Sequence, residues 1–122
     1  MQTILVIDDD ESLRDTIGVM LEQEGFHAEL VADGRAGYDR ALVLKPDLLL
    51  VDLRLPGMSG VEICRQLRAA RVKTPIIVLS GDTSMTTLNS LPHVGATYFF
   101  SKPVNASHLL ERLKEWLAPR EG

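Results

Sequence analysis

Three uninterrupted runs of branched apolar residues each stop abruptly on a polar side chain. Ile4-Leu5-Val6-Ile7 ends at Asp8-Asp9-Asp10, Leu48-Leu49-Leu50-Val51 at Asp52, and Ile76-Ile77-Val78-Leu79 at Ser80-Gly81-Asp82. A strand that is apolar at every position has no solvent face, so both sides must be covered. Between the runs the period changes. Leu13, Ile17, Met20 and Leu21 share one face of a helix, and Gly25 is placed to close it. His27 to Val31 reads as a second strand, with Asp33-Gly34 as the turn after it. Gly37, Ala41 and Leu44 suggest a helix stopped by Lys45-Pro46-Asp47, and Ile63, Cys64, Leu67 and Ala70 mark another after the Pro56-Gly57 loop. The segment Thr83 to Leu91, rich in Thr, Ser, Met and Asn, is the weakest helix, and Pro92 is expected to end it. Thr97 to Phe100 reads as a fifth strand before Ser101-Lys102-Pro103, and Leu109, Leu110, Leu113, Trp116 and Leu117 give an amphipathic last helix. Five strands alternating with five helices predict an α/β fold with a doubly wound parallel sheet and right-handed crossovers.

A chain of 122 residues fits a single domain over 1–122. With 45% apolar and 25% charged residues it has enough material for one core, and no apolar run approaches the length of a membrane span. The net charge of −4 opposes direct nucleic-acid binding by this chain. Cys64 has no second cysteine to pair with, and the first residues lack a basic segment followed by a long apolar one. The expectation is a cytoplasmic protein without a signal peptide. The polar tail Ala118 to Gly122 is expected to fray.

In an open parallel sheet, ligands bind beyond the carboxyl ends of the strands. Asp8, Asp9 and Asp10 follow the first strand, Asp52 the third, Ser80 the fourth and Lys102 the fifth. If strands one and three are neighbours, Asp8, Asp9 and Asp52 converge. Like carboxylates that close raise a pKa or recruit a cation. Oxygen ligands favour a hard cation such as Mg²⁺, with Mn²⁺ as the substitute, whereas zinc lacks its usual ligands here. Lys102 and the hydroxyl of Ser80 then complete a setting for an anion arriving at Asp52, and a phosphoryl group fits. Taken singly, each residue has a structural explanation. Asp10 and Glu11 suit a solvated helix start, and Ser80 suits a helix cap. The shared edge favours a site.

These motifs together resemble the receiver domain of two-component response regulators over essentially the whole chain. They are the pair Asp8-Asp9, Asp52 followed by the Pro56-Gly57 loop, Ser80-Gly81, and Lys102-Pro103. The resemblance implies a five-stranded sheet in the order 2-1-3-4-5. It implies that Asp52 is the phosphoacceptor, taking a phosphoryl group from a histidine kinase or phosphotransfer protein and assisting its own later dephosphorylation. Asp8, Asp9, Asp52 and the backbone carbonyl of Arg54 are the implied metal ligands. Ser80 and Lys102 are the implied phosphoryl-binding residues, Gly81 leaves room for the group, and the Lys102–Pro103 peptide is expected to be cis. Phe99 occupies the position of the ring that turns inward on activation, with packing of Tyr98, Phe99 and Phe100 in the strand as the alternative. The helix 4, strand 5 and helix 5 face is the implied output surface.

Arg54 and Asp82, each two residues beyond a site residue, are candidate modulators of phosphoryl lifetime through a mutual pair at the site mouth. Gly95-Ala96-Thr97-Tyr98 carries no acid. The expected state is therefore a monomer or a weak phosphorylation-dependent dimer. The readout is expected to pass to a downstream protein, or to a C-terminal effector domain missing from these 122 residues. The alternative is a receiver-like interaction module that is not phosphorylated. A flavodoxin-like carrier is disfavoured by three acids where a phosphate loop belongs. A haloacid-dehalogenase-type phosphatase is disfavoured by arginine at position 54.

Overall fold

The computed structural model describes residues 1–117; the tail expected to fray lies outside them. The strands are β1 (Thr3–Ile7), β2 (His27–Val31), β3 (Leu48–Asp52), β4 (Ile76–Ser80) and β5 (Tyr98–Ser101). All pair in parallel, in the order β2-β1-β3-β4-β5. The helices are α1 (Glu11–Gln23), α2 (Gly34–Leu44), α3 (Gly60–Ala69), α4 (Met85–Ser90) and α5 (Ala106–Leu117).

Strand alternation sorts the core into two layers. Leu5, Ile7, Leu49, Val51, Ile76 and Val78 pack with Ile63, Cys64 and Leu67 of α3. Ile4, Val6, Leu48, Leu50, Ile77 and Leu79 pack with Ile17 and Leu21 of α1 and Leu109 and Leu113 of α5. The runs Ile4–Ile7, Leu48–Val51 and Ile76–Leu79 have no exposed surface, which is what three central parallel strands covered on both faces require.

Three local readings are corrected. Asp33-Gly34 is a helix start: the Asp33 carboxylate accepts the Ala36 N–H at 2.8 Å and caps α2. The weak helix is shorter than Thr83 to Leu91, and Pro92 opens a 3₁₀ turn over Pro92–Val94, where its missing N–H leaves no bond unmade. β5 starts one residue late because Thr97 is a connector. Its hydroxyl accepts the Ile76 N–H at 3.0 Å, and Arg68 donates to the same oxygen at 3.3 Å.

Two glycines shape the loop after β3. Gly57 sits at φ +83°, a region that excludes most side chains. At Gly60 a Cβ would collide with the Asp52 carbonyl, so α3 can start directly against the end of β3 only without one.

Candidate functional site

The strand ends bring Asp9, Asp52, Arg54, Ser80, Gly81, Asp82 and Lys102 around one cleft of about 550 Å³. Asp8 lies beneath it, fully buried; Asp52 is 7% and Ser80 4% exposed, while Asp9 reaches solvent. Carboxylate oxygens of Asp8, Asp9 and Asp52 lie within 4.8 Å of one another. The β1–β3 pairing, with Ile7 opposite Val51, produces this convergence.

Hydrogen bonds fix the floor. Asp8 Oδ1 accepts the Asp10 N–H at 2.9 Å, and Arg14 donates to the Asp8 carbonyl at 2.8 Å. Asp10 in turn caps α1 by accepting the Leu13 N–H. Asp52 Oδ1 accepts the Arg54 N–H at 3.2 Å, and Asp52 Oδ2 accepts from Lys102 Nζ at 3.1 Å. The Lys102 N–H donates to the Ser80 carbonyl at 2.9 Å, which ties the end of β5 to that of β4 beside the cleft. The Lys102–Pro103 peptide is cis.

Burial pushes the Asp52 carboxyl above the usual carboxylate range, and the neighbouring Asp8 adds to this; Lys102 and the Arg54 N–H work against it. Burial pulls the Lys102 ammonium down, but Asp8 and Asp52 together outweigh it and leave it above the ordinary lysine value. Lys102 Nζ is also 2.9 Å from the buried Asp8 Oδ2, which has no other polar partner among the described residues. A buried carboxylate oxygen held by a single ion pair keeps acceptor capacity unused. It is the donor type a hard cation takes, so this residue set fits Mg²⁺.

Arg54 and Asp82 both line the cleft, but no ion pair joins them among the described residues. Asp82 is engaged elsewhere. Its Oδ1 accepts the Ser84 N–H at 2.9 Å and its Oδ2 the Thr87 hydroxyl at 2.7 Å. These bonds hold its carboxyl below the usual range, with a smaller contribution from the charge of Arg54. A Cβ at Gly81 would meet nothing within 4 Å, so the backbone there leaves the cleft open.

The three rings of β5 go different ways. Phe99 packs into the layer shared with α3 and with Leu88 of α4. Phe100 joins the α1–α5 layer and meets His108 edge-on, while Tyr98 stacks on Trp116 with centroids 4.2 Å apart. The sequence reading missed Arg14, Ser84 and Thr87 as supports of the site. Only the Ser84–Thr87 spacing, that of an N-cap and its third helical residue, signalled a role.

This constellation sits at the carboxyl edge of a doubly wound 2-1-3-4-5 parallel sheet and gathers three carboxylates, a lysine and a hydroxyl there. The response regulator receiver domain profile matches residues 4–114, and the chain belongs to that family, the receiver domains of two-component response regulators. It is 38% identical over 117 residues to the sensory transduction protein RegX3 of Mycobacterium tuberculosis, covering 93% of this chain and 50% of that protein. It is 37% identical over 120 residues to the DNA-binding response regulator MtrA of Mycolicibacterium smegmatis, covering 98% of this chain and 52% of that protein. The chain thus spans about half the length of these curated relatives. Among solved structures, the chemotaxis response regulator CheY4 of Vibrio cholerae superposes with a TM-score of 0.89 at 32% identity, covering 96% of this chain and 99% of that one. A CheY-like receiver domain protein of Methanospirillum hungatei gives 0.90 at 32% identity, covering 96% and 94%.

Proposed function

We propose that residues 1–122 act as one receiver domain in which Asp52 accepts a phosphoryl group from the phosphohistidine of a histidine kinase or phosphotransfer protein. The observation that carries this reading is the placement of Asp52. It ends a central strand, its two oxygens are held by the Arg54 N–H and Lys102 Nζ, and Asp8 and Asp9 stand beside it.

In the transfer, an Asp52 carboxylate oxygen attacks phosphorus. The P–N bond to the donor imidazole breaks, a P–O bond forms, and the imidazole leaves neutral after taking a proton. Asp8, Asp9, Asp52 and the carbonyl of Arg54 are the residues that would hold Mg²⁺ or Mn²⁺. The bound cation supplies charge neutralisation at the transferring oxygens. Lys102 exchanges its bond to Asp52 for one to a phosphoryl oxygen, and Ser80 donates its hydroxyl proton to another. Later, water attacks phosphorus and returns the carboxylate and inorganic phosphate. Arg54 and Asp82 flank the path of that water.

Phe99 is the ring in this reading that responds to a movement of Ser80, because it packs beside α4. The face of α4, β5 and α5 passes the change to a downstream protein or to an effector domain C-terminal to residue 122. The setting is the cytoplasm, and the domain is a monomer or a weak phosphorylation-dependent dimer. It is a phosphoacceptor that assists its own chemistry, not a turnover enzyme.

Intact mass after incubation with acetyl phosphate and Mg²⁺ tests the reading. The wild type should gain one phosphoryl group and Asp52→Ala none. No gain in the wild type leaves the chain as an interaction module.

A further inference from the structure

The loop between β3 and α3 is held at its two ends by different parts of the chain. At the near end the Leu53 N–H donates to the Leu79 carbonyl at 3.2 Å, and the Gly60 N–H donates to the Leu53 carbonyl at 2.9 Å. At the far end the support comes from the start of α2. The Gly34 N–H donates to the Pro56 carbonyl at 2.9 Å. Among the described residues it is the one hydrogen bond that reaches residues 54–58 from outside the segment 52–60.

This junction has no room for added atoms. A Cβ at Gly34 would overlap the Met58 carbonyl oxygen and lie 2.7 Å from its carbon, so α2 rests directly on loop backbone. From the other side, a Cβ at Gly57 would lie 2.5 Å from Oδ1 of Asp33, the carboxylate that caps α2. Behind the junction Met58 is buried in the layer shared with α3 and with Ala41 of α2. Arg54, Pro56 and Gly57 are exposed, so packing alone does not set their course.

We infer that Gly34 is a positioning residue for the cation site: with Asp33 it makes the start of α2 a buttress for the loop that carries the Arg54 carbonyl. This rests on the ligand set proposed above, in which that carbonyl takes part. A backbone carbonyl has no rotamer of its own, so the path of the loop decides its direction. Gly34 fixes that path two residues further on, at Pro56, without lining the cleft.

Calorimetric titration with Mg²⁺ alone, beside urea unfolding without metal, tests the buttress. Gly34→Ala should weaken Mg²⁺ binding about tenfold, the low end for losing a group that orients a metal ligand. Leu113→Ala opens a cavity in the layer on the other face of the sheet. It should lower the urea midpoint yet bind Mg²⁺ as the wild type does. Asp33→Ala should weaken binding about threefold, because the start of α2 loses its cap. Asp33→Asn removes the same charge but still caps the helix, and should keep the wild-type affinity. That pair decides the question if Gly34→Ala does not fold. Wild-type affinity in a folded Gly34→Ala, or equal affinity in the two Asp33 variants, overturns the buttress. So does an equal loss in Leu113→Ala, which would make the effect one of stability alone. A wild type that takes up no Mg²⁺ overturns the ligand set itself.

Discussion

Lys102 Nζ stands 2.9 Å from the buried Asp8 Oδ2 and 3.1 Å from Asp52 Oδ2, so one ammonium bridges the two carboxylates while oxygens of both still face Asp9. A cation entering between Asp8, Asp9 and Asp52 meets a prepared donor. Added Mg²⁺ should therefore raise stability by mass action, about 2.7 kcal/mol at a hundredfold excess over its dissociation constant. Urea titrations with and without Mg²⁺ read this directly. Asp9 is exposed, so Asp9→Asn should keep its metal-free stability within about 0.5 kcal/mol while losing most of the Mg²⁺ increment. An equal increment in that variant would remove Asp9 from the ligand set.

Arg54 lines the cleft while Asp82 is occupied by α4. Arg54→Ala keeps the backbone groups and removes the guanidinium. Loss of the phosphoryl group should become a few-fold faster, the size expected for one partly screened charge and its bulk at the mouth. The decay of phosphorylated protein after removal of acetyl phosphate gives the rate. Unchanged decay would show that Arg54 does not guard the site.

Arg40 grips Glu29 with two bonds, 2.8 Å to Oε2 and 2.6 Å to Oε1, joining α2 to the edge strand β2. This bidentate bond holds the Glu29 carboxyl below its ordinary value of 4.5. A depressed carboxyl stabilises the fold above its ordinary value, and the contribution is lost as pH falls through the lowered one. Arg40→Gln should therefore be less stable than wild type at neutral pH. The gap should close below pH 4.5, the ordinary value of that carboxyl. Thermal melts across that range check the sign.

Cys64 is fully buried on α3, and burial pushes its thiol up to about 11. It should be inert to a disulfide reagent such as Ellman's in native buffer and react at once in denaturant. The native labelling rate should rise in step with any destabilising substitution in the core, because labelling requires opening.

Leu50 lies in the centre of β3 with no exposed surface, inside the layer under α1 and α5. Leu50→Ala should cost about 2–5 kcal/mol, the range for a buried leucine whose cavity relaxes only in part. The denaturation midpoint measures it. A cost under about 1 kcal/mol would mean the layer collapses readily around the gap.

The central strands were legible because a run such as Leu48–Val51 has only one way to avoid water, inside a sheet covered on both faces. The site residues were legible for a related reason. Asp52, Ser80 and Lys102 sit where apolar runs stop, and parallel strands place all such stops on one edge. The order of strands came from the resemblance, since periodicity says nothing about which strands are neighbours. α4 was blurred because Met85-Thr86-Thr87-Leu88-Asn89-Ser90 has no apolar face to set a helical period. The expected Arg54–Asp82 pair failed for a local reason. Ser84 and Thr87 offer donors within five residues of Asp82, and such short-range partners win over a distant guanidinium.

Because no residue of α4 is fully buried and Leu88 alone of its residues packs against the core, most of its six positions can be rewritten at small thermodynamic cost. The buried acids, Asp8 just after β1 and Asp52 at the end of β3, have no such liberty. An acidic strand-end site can thereby stay constant while the helix beside it varies over less than two turns.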